Sequence, residues 1–184
     1  MQDSFKIAIL IGSARQGRIA DRVMKWLMPE LRRHPDFTYH ILDAREFETA
    51  DRADPSYETV IHNADGVIVV TPEYNHSFPA PLKAMIDALG EPWHRKPVAF
   101  VCYGGISGGL RAIEQLKLVF AELGMVSVRE VVSISSPWSA FSPDGVPTNP
   151  DRLNAAVLRM VGSLLWWTQA LSAARAATAK EVAA

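Results

Sequence analysis

Three short apolar runs, each closing on a glycine- or proline-rich loop, constrain this chain more than any other feature. They are Phe5 to Ile11 (FKIAILI) before Gly12-Ser13, Gly66 to Val70 (GVIVV) before Thr71-Pro72, and Pro97 to Tyr103 (PVAFVCY) before Gly104-Gly105. Runs this short and this uninterrupted suit strands buried on both faces, as in a parallel sheet. Parallel neighbours need long crossovers, usually helices. The sequence supplies them. Ile19, Val23, Trp26, Leu27 and Leu31 recur at helical spacing, as do Leu82, Met85, Ile86 and Leu89 within Pro79 to Leu89. Leu110, Ile113, Leu116, Phe120 and Leu123 mark another helix, which Gly124 stops. A final helix from Pro150 carries Leu153, Val157, Met160, Leu164, Trp167 and Leu171. Phe37 to Leu42 and Val126 to Ile134 alternate enough to be further strands, the first near a sheet edge. Residues Ala50 to Asn63, with Pro55, read as a loop and a short helix, Ser135 to Pro150 as a long loop, and Ala173 to Ala184 as a fraying helix or tail. Five strands alternating with helices predict an α/β, doubly wound three-layer sandwich with right-handed crossovers, in one domain spanning residues 1–184.

Composition narrows the function classes. Lys+Arg number 19 and Asp+Glu 20, for a net charge of -1, without the basic footprint of a nucleic-acid binder. An anionic cofactor must therefore be held by local charges. The lone Cys102 excludes an internal disulfide and a cysteine metal centre, and its apolar strand makes it a packing residue. His34, His40, His62, His76 and His94 are scattered without metal-ligand spacing. The first apolar run lacks a basic leader, and the richest apolar stretch, Ala155 to Trp167, is interrupted by Arg159. The expectation is a protein of the reducing cytoplasm without a membrane segment.

Ligands of open parallel sheets bind beyond the carboxyl ends of the strands, so the three loops are the candidate site. Gly12-Ser13-Ala14-Arg15-Gln16-Gly17-Arg18 leads from a buried strand into a helix N-terminus, which favours an anion. Ser13, Arg15 and Arg18 add donors suited to a phosphate monoester. The second glycine of GxGxxG and the Gly-Lys of a P-loop are both missing. The plainer reading is a polar loop with two solvated arginines. The loop Thr71-Pro72-Glu73-Tyr74-Asn75-His76-Ser77-Phe78-Pro79 offers a flat ring at Tyr74 and an amide at Asn75 able to donate and accept. Tyr103-Gly104-Gly105-Ile106-Ser107-Gly108-Gly109 lets backbone approach a planar ligand, and Ser107 reads equally as a helix N-cap and as a ligand contact.

Together these loops resemble the NADPH-dependent FMN reductase family, a flavodoxin-like group of flavin, quinone, azo-dye and metal-ion reductases. The matching residues are Gly12-Ser13-x-Arg15-x-x-Arg18, then Pro72-Glu73-Tyr74-Asn75-x-Ser77-x-Pro79 with Leu82-Lys83 and Ile86-Asp87, and Tyr103-Gly104-Gly105-x-Ser107-Gly108-Gly109. The resemblance implies a five-stranded parallel sheet in the order 2-1-3-4-5. It assigns the FMN phosphate to Ser13, Arg15, Arg18, Ile19 and Ala20. Pro72, Glu73, Tyr74 and Asn75 are implied to line the isoalloxazine ring, with Gly104, Gly105 and Ser107 at its pyrimidine end and Tyr103 among the cofactor-binding residues. Many members carry Ser or Thr early in the first helix; here Arg18-Ile19-Ala20 shifts the phosphate contact towards arginine.

The implied activity is ping-pong transfer of electrons from NADPH or NADH to bound FMN and on to a free flavin, quinone, azo dye or metal ion. The flavin carries the hard step, so no side chain is assigned as catalytic and no metal is expected. A flavin-binding electron carrier or redox sensor is the main rival; such carriers are usually strongly acidic, unlike this chain. A nucleotide-binding dehydrogenase with Asp43 as its ribose acid is the weaker rival. Trp138, Phe141 and Ser142 are expected to shape the acceptor cleft. The last helix is apolar on more than one face through Leu158, Val161, Leu165 and Trp166, which predicts a homodimer or homotetramer.

Overall fold

The computed structural model describes residues 4–49 and 55–182. Strands β1 (Phe5–Ile11), β2 (Phe37–Asp43), β3 (Gly66–Pro72), β4 (Pro97–Gly104) and β5 (Val126–Ser135) form one sheet in the order β2-β1-β3-β4-β5. Every pairing is parallel, with Ile9 beside Ile68, Val69 beside Phe100 and Val101 beside Val132. Helices α1 (Ala20–Leu31), α2 (Ala44–Thr49), α3 (Pro55–Asn63), α4 (Ala80–Asp87), α5 (Leu110–Glu122), α6 (Pro137–Ala140) and α7 (Pro150–Val182) complete the chain.

The period-two alternation of a strand explains the layers. Ile7, Ile9, Ile11, Ile68, Val70, Val101 and Tyr103 face one way and pack with Val23 and Leu27 of α1 and Val157, Met160 and Leu164 of α7. Their neighbours Ala8, Leu10, Val67, Val69, Phe100 and Cys102 face the other way, against Ile61 of α3, Leu82 and Met85 of α4 and Leu116 of α5. Buried Trp93 helps to end α4, donating its indole N–H to the carbonyls of Ile86 (3.0 Å) and Leu89 (3.2 Å).

The structure refines the polar stretches. Asp43 runs directly into α2, which its polar sequence had concealed, and α3 begins at Pro55. Residues 50–54 of the expected loop lie outside the described residues. The stretch after β5 contains the one-turn α6, and α7 continues as helix through residues 173–182, the region expected to fray. The sheet positions the site because β1 has β2 on one side and β3 on the other. The crossovers from β1 and β3 leave in opposite directions, and a crevice opens beyond their carboxyl ends.

Candidate functional site

The first loop is held by what its glycine lacks. A Cβ on Gly12 would lie 2.9 Å from Leu82 Cδ2, so only glycine lets β1 pass α4 at this spacing. The Gly12 N–H donates to the carbonyl of Val70 at 2.9 Å. Beyond it, the N–H groups of Ser13, Ala14 and Arg15, and those of Ala20 and Asp21 in the first turn of α1, have no acceptor among the described residues. Ile19 stands at the N-cap and supplies no side-chain cap. The positive end of α1 is therefore open. Ser13 is buried, and its Oγ lies 2.9 Å from the Tyr74 hydroxyl, joining the first loop to the second. The Arg15 guanidinium stacks on the Tyr74 ring, 3.7 Å from its centroid, a cation–π contact.

Arg18, expected at the phosphate, turns its guanidinium to partners within the protein. Its side chain is buried, with Nε on Asp21 (2.8 Å) and Nη1 shared between the Ser13 carbonyl and Asp43 Oδ1 (2.6 Å), while Nη2 binds Asp43 Oδ2. Arg45 adds a second cation, donating to the Arg15 carbonyl at 2.8 Å and lying 3.3 Å from Asp21, while its backbone N–H caps onto Asp43 at 2.9 Å. Burial opposes the charges of Arg18 and Asp43, yet their mutual hydrogen bonds prevail. They raise the Arg18 pKa and hold the Asp43 carboxyl below its ordinary value. Asp43 is thus bound by arginine rather than presented as a ribose acid. Asp21 and Arg45 were not singled out from the sequence; the one available signal was an acid at the end of a strand beside the arginine loop.

The second loop turns tightly without a glycine. Tyr74 and Ser77 exchange N–H···O bonds at 2.8 and 3.0 Å around Asn75 (φ 51°) and His76 (φ 68°). Two successive positive φ values suit a type I′ turn, a conformation Asn tolerates best. Gln115 of α5 clamps the turn, donating to the His76 carbonyl (2.8 Å) and accepting from the Ser77 hydroxyl (2.6 Å). Asn75 itself is exposed at the tip.

Glu73 joins the second loop to the third. Its backbone N–H donates to the Tyr103 carbonyl at 2.8 Å. Its carboxylate accepts from Ser107 Oγ (2.5 Å), the Arg111 N–H (3.1 Å) and the Arg111 guanidinium (3.2 Å). Burial pushes this carboxyl up, but those donors outweigh it and hold it below its ordinary range. Glu73 therefore sits on the N-terminus of α5. Ser107 is a brace between Glu73 and the Gly109 N–H (3.3 Å); Gly109 holds the N-cap position. Gly108 (φ 63°) and Gly109 (φ 95°) are irreplaceable on space as well: an added Cβ would come within 2.3 Å of Ser133 Oγ and 2.6 Å of the Tyr103 N, respectively. Gly105 has nothing within 4 Å of that position and faces open space.

These elements bound a pocket of about 350 Å³ lined by Ala14, Arg15, Tyr74, Pro79, Ala80 and Pro81. Tyr103 turns its side chain into the core at 3% exposure, and its buried hydroxyl has no hydrogen-bond partner among the described residues. Burial raises its pKa, with Tyr74 adding to the effect. Pro72 ends β3 in register with Tyr103. Of the residues expected at the acceptor cleft, Phe141 is buried against Trp26, with ring centroids 5.8 Å apart, and Ser142 closes a turn with Val146, whereas Trp138 is 62% exposed. Among the described residues no cluster of His, Cys, Asp and Glu could hold a metal ion, and no helix is long and apolar enough to cross a membrane.

A parallel sheet in this order, with its loops gathered at the switch between β1 and β3, defines a flavodoxin-like α/β protein. Within that class, a model of the NADPH-dependent FMN reductase family matches residues 5–139, and the chain belongs to that family. It is 32% identical over 136 residues to an NAD(P)H-dependent FMN reductase of Schizosaccharomyces pombe, covering 65% of this chain and 68% of that one. It is 30% identical over 137 residues to a quinone reductase of Escherichia coli K12, covering 67% and 73%. The matched segment thus spans about two thirds to three quarters of these relatives. Among solved structures it is similar in fold to FerB, a flavoenzyme NAD(P)H:(acceptor) oxidoreductase from Paracoccus denitrificans, with a TM-score of 0.69, 23% identity, and 90% and 98% of the two chains covered.

Proposed function

We propose that the chain, acting as one flavodoxin-like domain, binds FMN in the three-loop crevice and catalyses NAD(P)H-dependent reduction of a small acceptor. The observation that carries this reading is the junction of Ser13, Arg15 and Tyr74 beside unpaired N–H groups at an uncapped helix start. It combines donors for a phosphate monoester with an aromatic wall in one pocket. The orphaned Tyr103 hydroxyl and the bare face of Gly105 also fit a polar, planar ligand. When bound, FMN would supply the redox chemistry of a ping-pong exchange between the nicotinamide and a flavin, quinone, azo dye or metal ion.

The side chains have separable tasks in this scheme. Ser13, Arg15 and the N–H groups leading to Ile19 and Ala20 hold the phosphate. Pro72, Glu73, Tyr74 and Asn75 set one wall by fixing backbone that cannot shift, and Gly104, Gly105 and Ser107 set the other. Fixed donors of this kind stabilise developing negative charge without reorganising. Names of relatives printed as FMN reductase and quinone reductase agree with the acceptor class. The buried free thiol of Cys102 suits a cytoplasmic enzyme. Leu158 and Trp166 of α7, 60% and 62% exposed, support assembly as a homodimer or homotetramer.

The test is a visible spectrum of the purified protein with one equivalent of FMN, before and after anaerobic NADPH. A bound-flavin spectrum that bleaches promptly is expected. Bound flavin that stays oxidised would reassign the protein as a carrier or sensor, and a free-flavin spectrum would overturn the reading.

A further inference from the structure

We propose that Arg18 and Arg45 are positioning residues that aim the first loop's peptide groups, and that Arg18 is not itself an anion ligand. The inference rests on the FMN reading for the identity of the anion but on this chain's own geometry for the device. Arg18, Asp21, Asp43 and Arg45 carry two positive and two negative charges in mutual contact. The cluster is neutral and offers an approaching anion no net attraction. Arg15 stands outside it, on the Tyr74 ring.

The cluster acts through two carbonyls. Arg18 Nη1 binds the oxygen of Ser13, and Arg45 Nη2 binds the oxygen of Arg15 at 2.8 Å. The described residues contain no cis peptide. In a trans peptide, the C=O of one residue and the N–H of the next point in opposite directions. Fixing the Ser13 and Arg15 oxygens towards the arginines therefore turns the Ala14 and Gln16 N–H groups away from them. Two cations committed to carbonyls thus convert a flexible loop into a set of oriented donors, the kind of backbone concavity that binds anions. Asp43 is the anchor of the device: it fixes the Arg18 guanidinium through both oxygens and the Arg45 N–H through one.

The deciding variant is Asp43→Asn, which removes a negative charge near the anion. If Arg18 bound phosphate directly and Asp43 merely competed for it, this change would tighten FMN or leave it unaltered. Positioning predicts the reverse: the FMN dissociation constant, read from flavin fluorescence quenching, rises about tenfold. Riboflavin, which lacks the phosphate, keeps its affinity. Arg15→Ala gives the same separation of FMN from riboflavin without lowering the apoprotein Tm. A ligand-free measurement decides the device independently. Arg18→Met and Asp43→Asn each lower the apoprotein Tm by about 4 °C, and the double variant falls no further than the worse single one. FMN binding by Asp43→Asn that is tighter or unaltered, or additive Tm losses, would overturn the proposal. Wild-type protein that binds no FMN would sink the functional reading alone, because the melting cycle still reports on the cluster.

Discussion

The two ends of the sheet use the same materials for opposite results. At the amino end, Asp65 before β3 accepts from the Lys6 N–H (3.0 Å), Ser172 (3.2 Å) and Arg175 of α7 (3.3 Å), and Arg175 also donates to the Arg95 carbonyl at 2.7 Å. Buried Lys96 donates to the carbonyls of Ile61 (2.5 Å) and His62 (2.9 Å) at the end of α3. Here cations meet backbone carbonyls, at the end of α3 and just before β4, and tie α7 and α3 to the sheet. At the carboxyl end, Arg18 and Arg45 also bind carbonyls and aspartates, but the loop they hold keeps its N–H groups unpaired. One end satisfies its backbone and closes; the other satisfies only its oxygens and stays receptive. An arginine–aspartate pair says little by itself about function, and what distinguishes the two ends is which backbone groups are left over.

The largest break in this comparison comes from Gly109→Ala. Its added methyl collides with backbone at a left-handed φ, so unfolding stability falls by about 3 kcal/mol in a denaturant titration. Gly124→Ala has a similar φ (63°) but open space and loses only about 1 kcal/mol. Lys96 tests the closed end through pH. Burial lowers its pKa from 10.5 to about 8, with nearby Arg175 adding to the effect. The unfolded chain therefore binds the extra proton between pH 8 and 10.5, and stability must rise with pH across that window. Relative to Lys96→Met, the wild-type protein gains about 1 kcal/mol per pH unit there and nothing below it, as measured by melts at stepped pH. The smallest effect belongs to Arg175→Ala. It costs about 0.5 kcal/mol of stability and leaves the FMN dissociation constant unchanged, which sharpens the claim that the ends are separable.

The strands and the three loops were legible because each signal is local. An apolar run fixes a buried strand, and the glycines and prolines after it fix a loop within a few residues. The site's residues were legible as types, but their partners were not. Arg18 reads as a phosphate ligand in the sequence, which gives no sign that Asp43, 25 positions away, binds it. Ser107 reads as a cap or a ligand, with no sign in the sequence that Glu73, 34 positions away, accepts from its hydroxyl. The turn at Asn75-His76 carries no glycine, so its positive φ values had no composition cue. The helix α2 went unread, since a short, largely polar segment directly after a strand shows no clear apolar period.

Glu73 has one more consequence. Among the helices that start beside the crevice, α1 and α5 each carry a partial positive charge at that start. The protein seats its own Glu73 carboxylate on the first turn of α5, whereas Asp21, the acid in the first turn of α1, is taken up by Arg18 and Arg45. An elongated guest with a single anionic end therefore meets one docking pole and one blind pole. On the proposed reading, that electrical asymmetry orients the guest before its rings make contact.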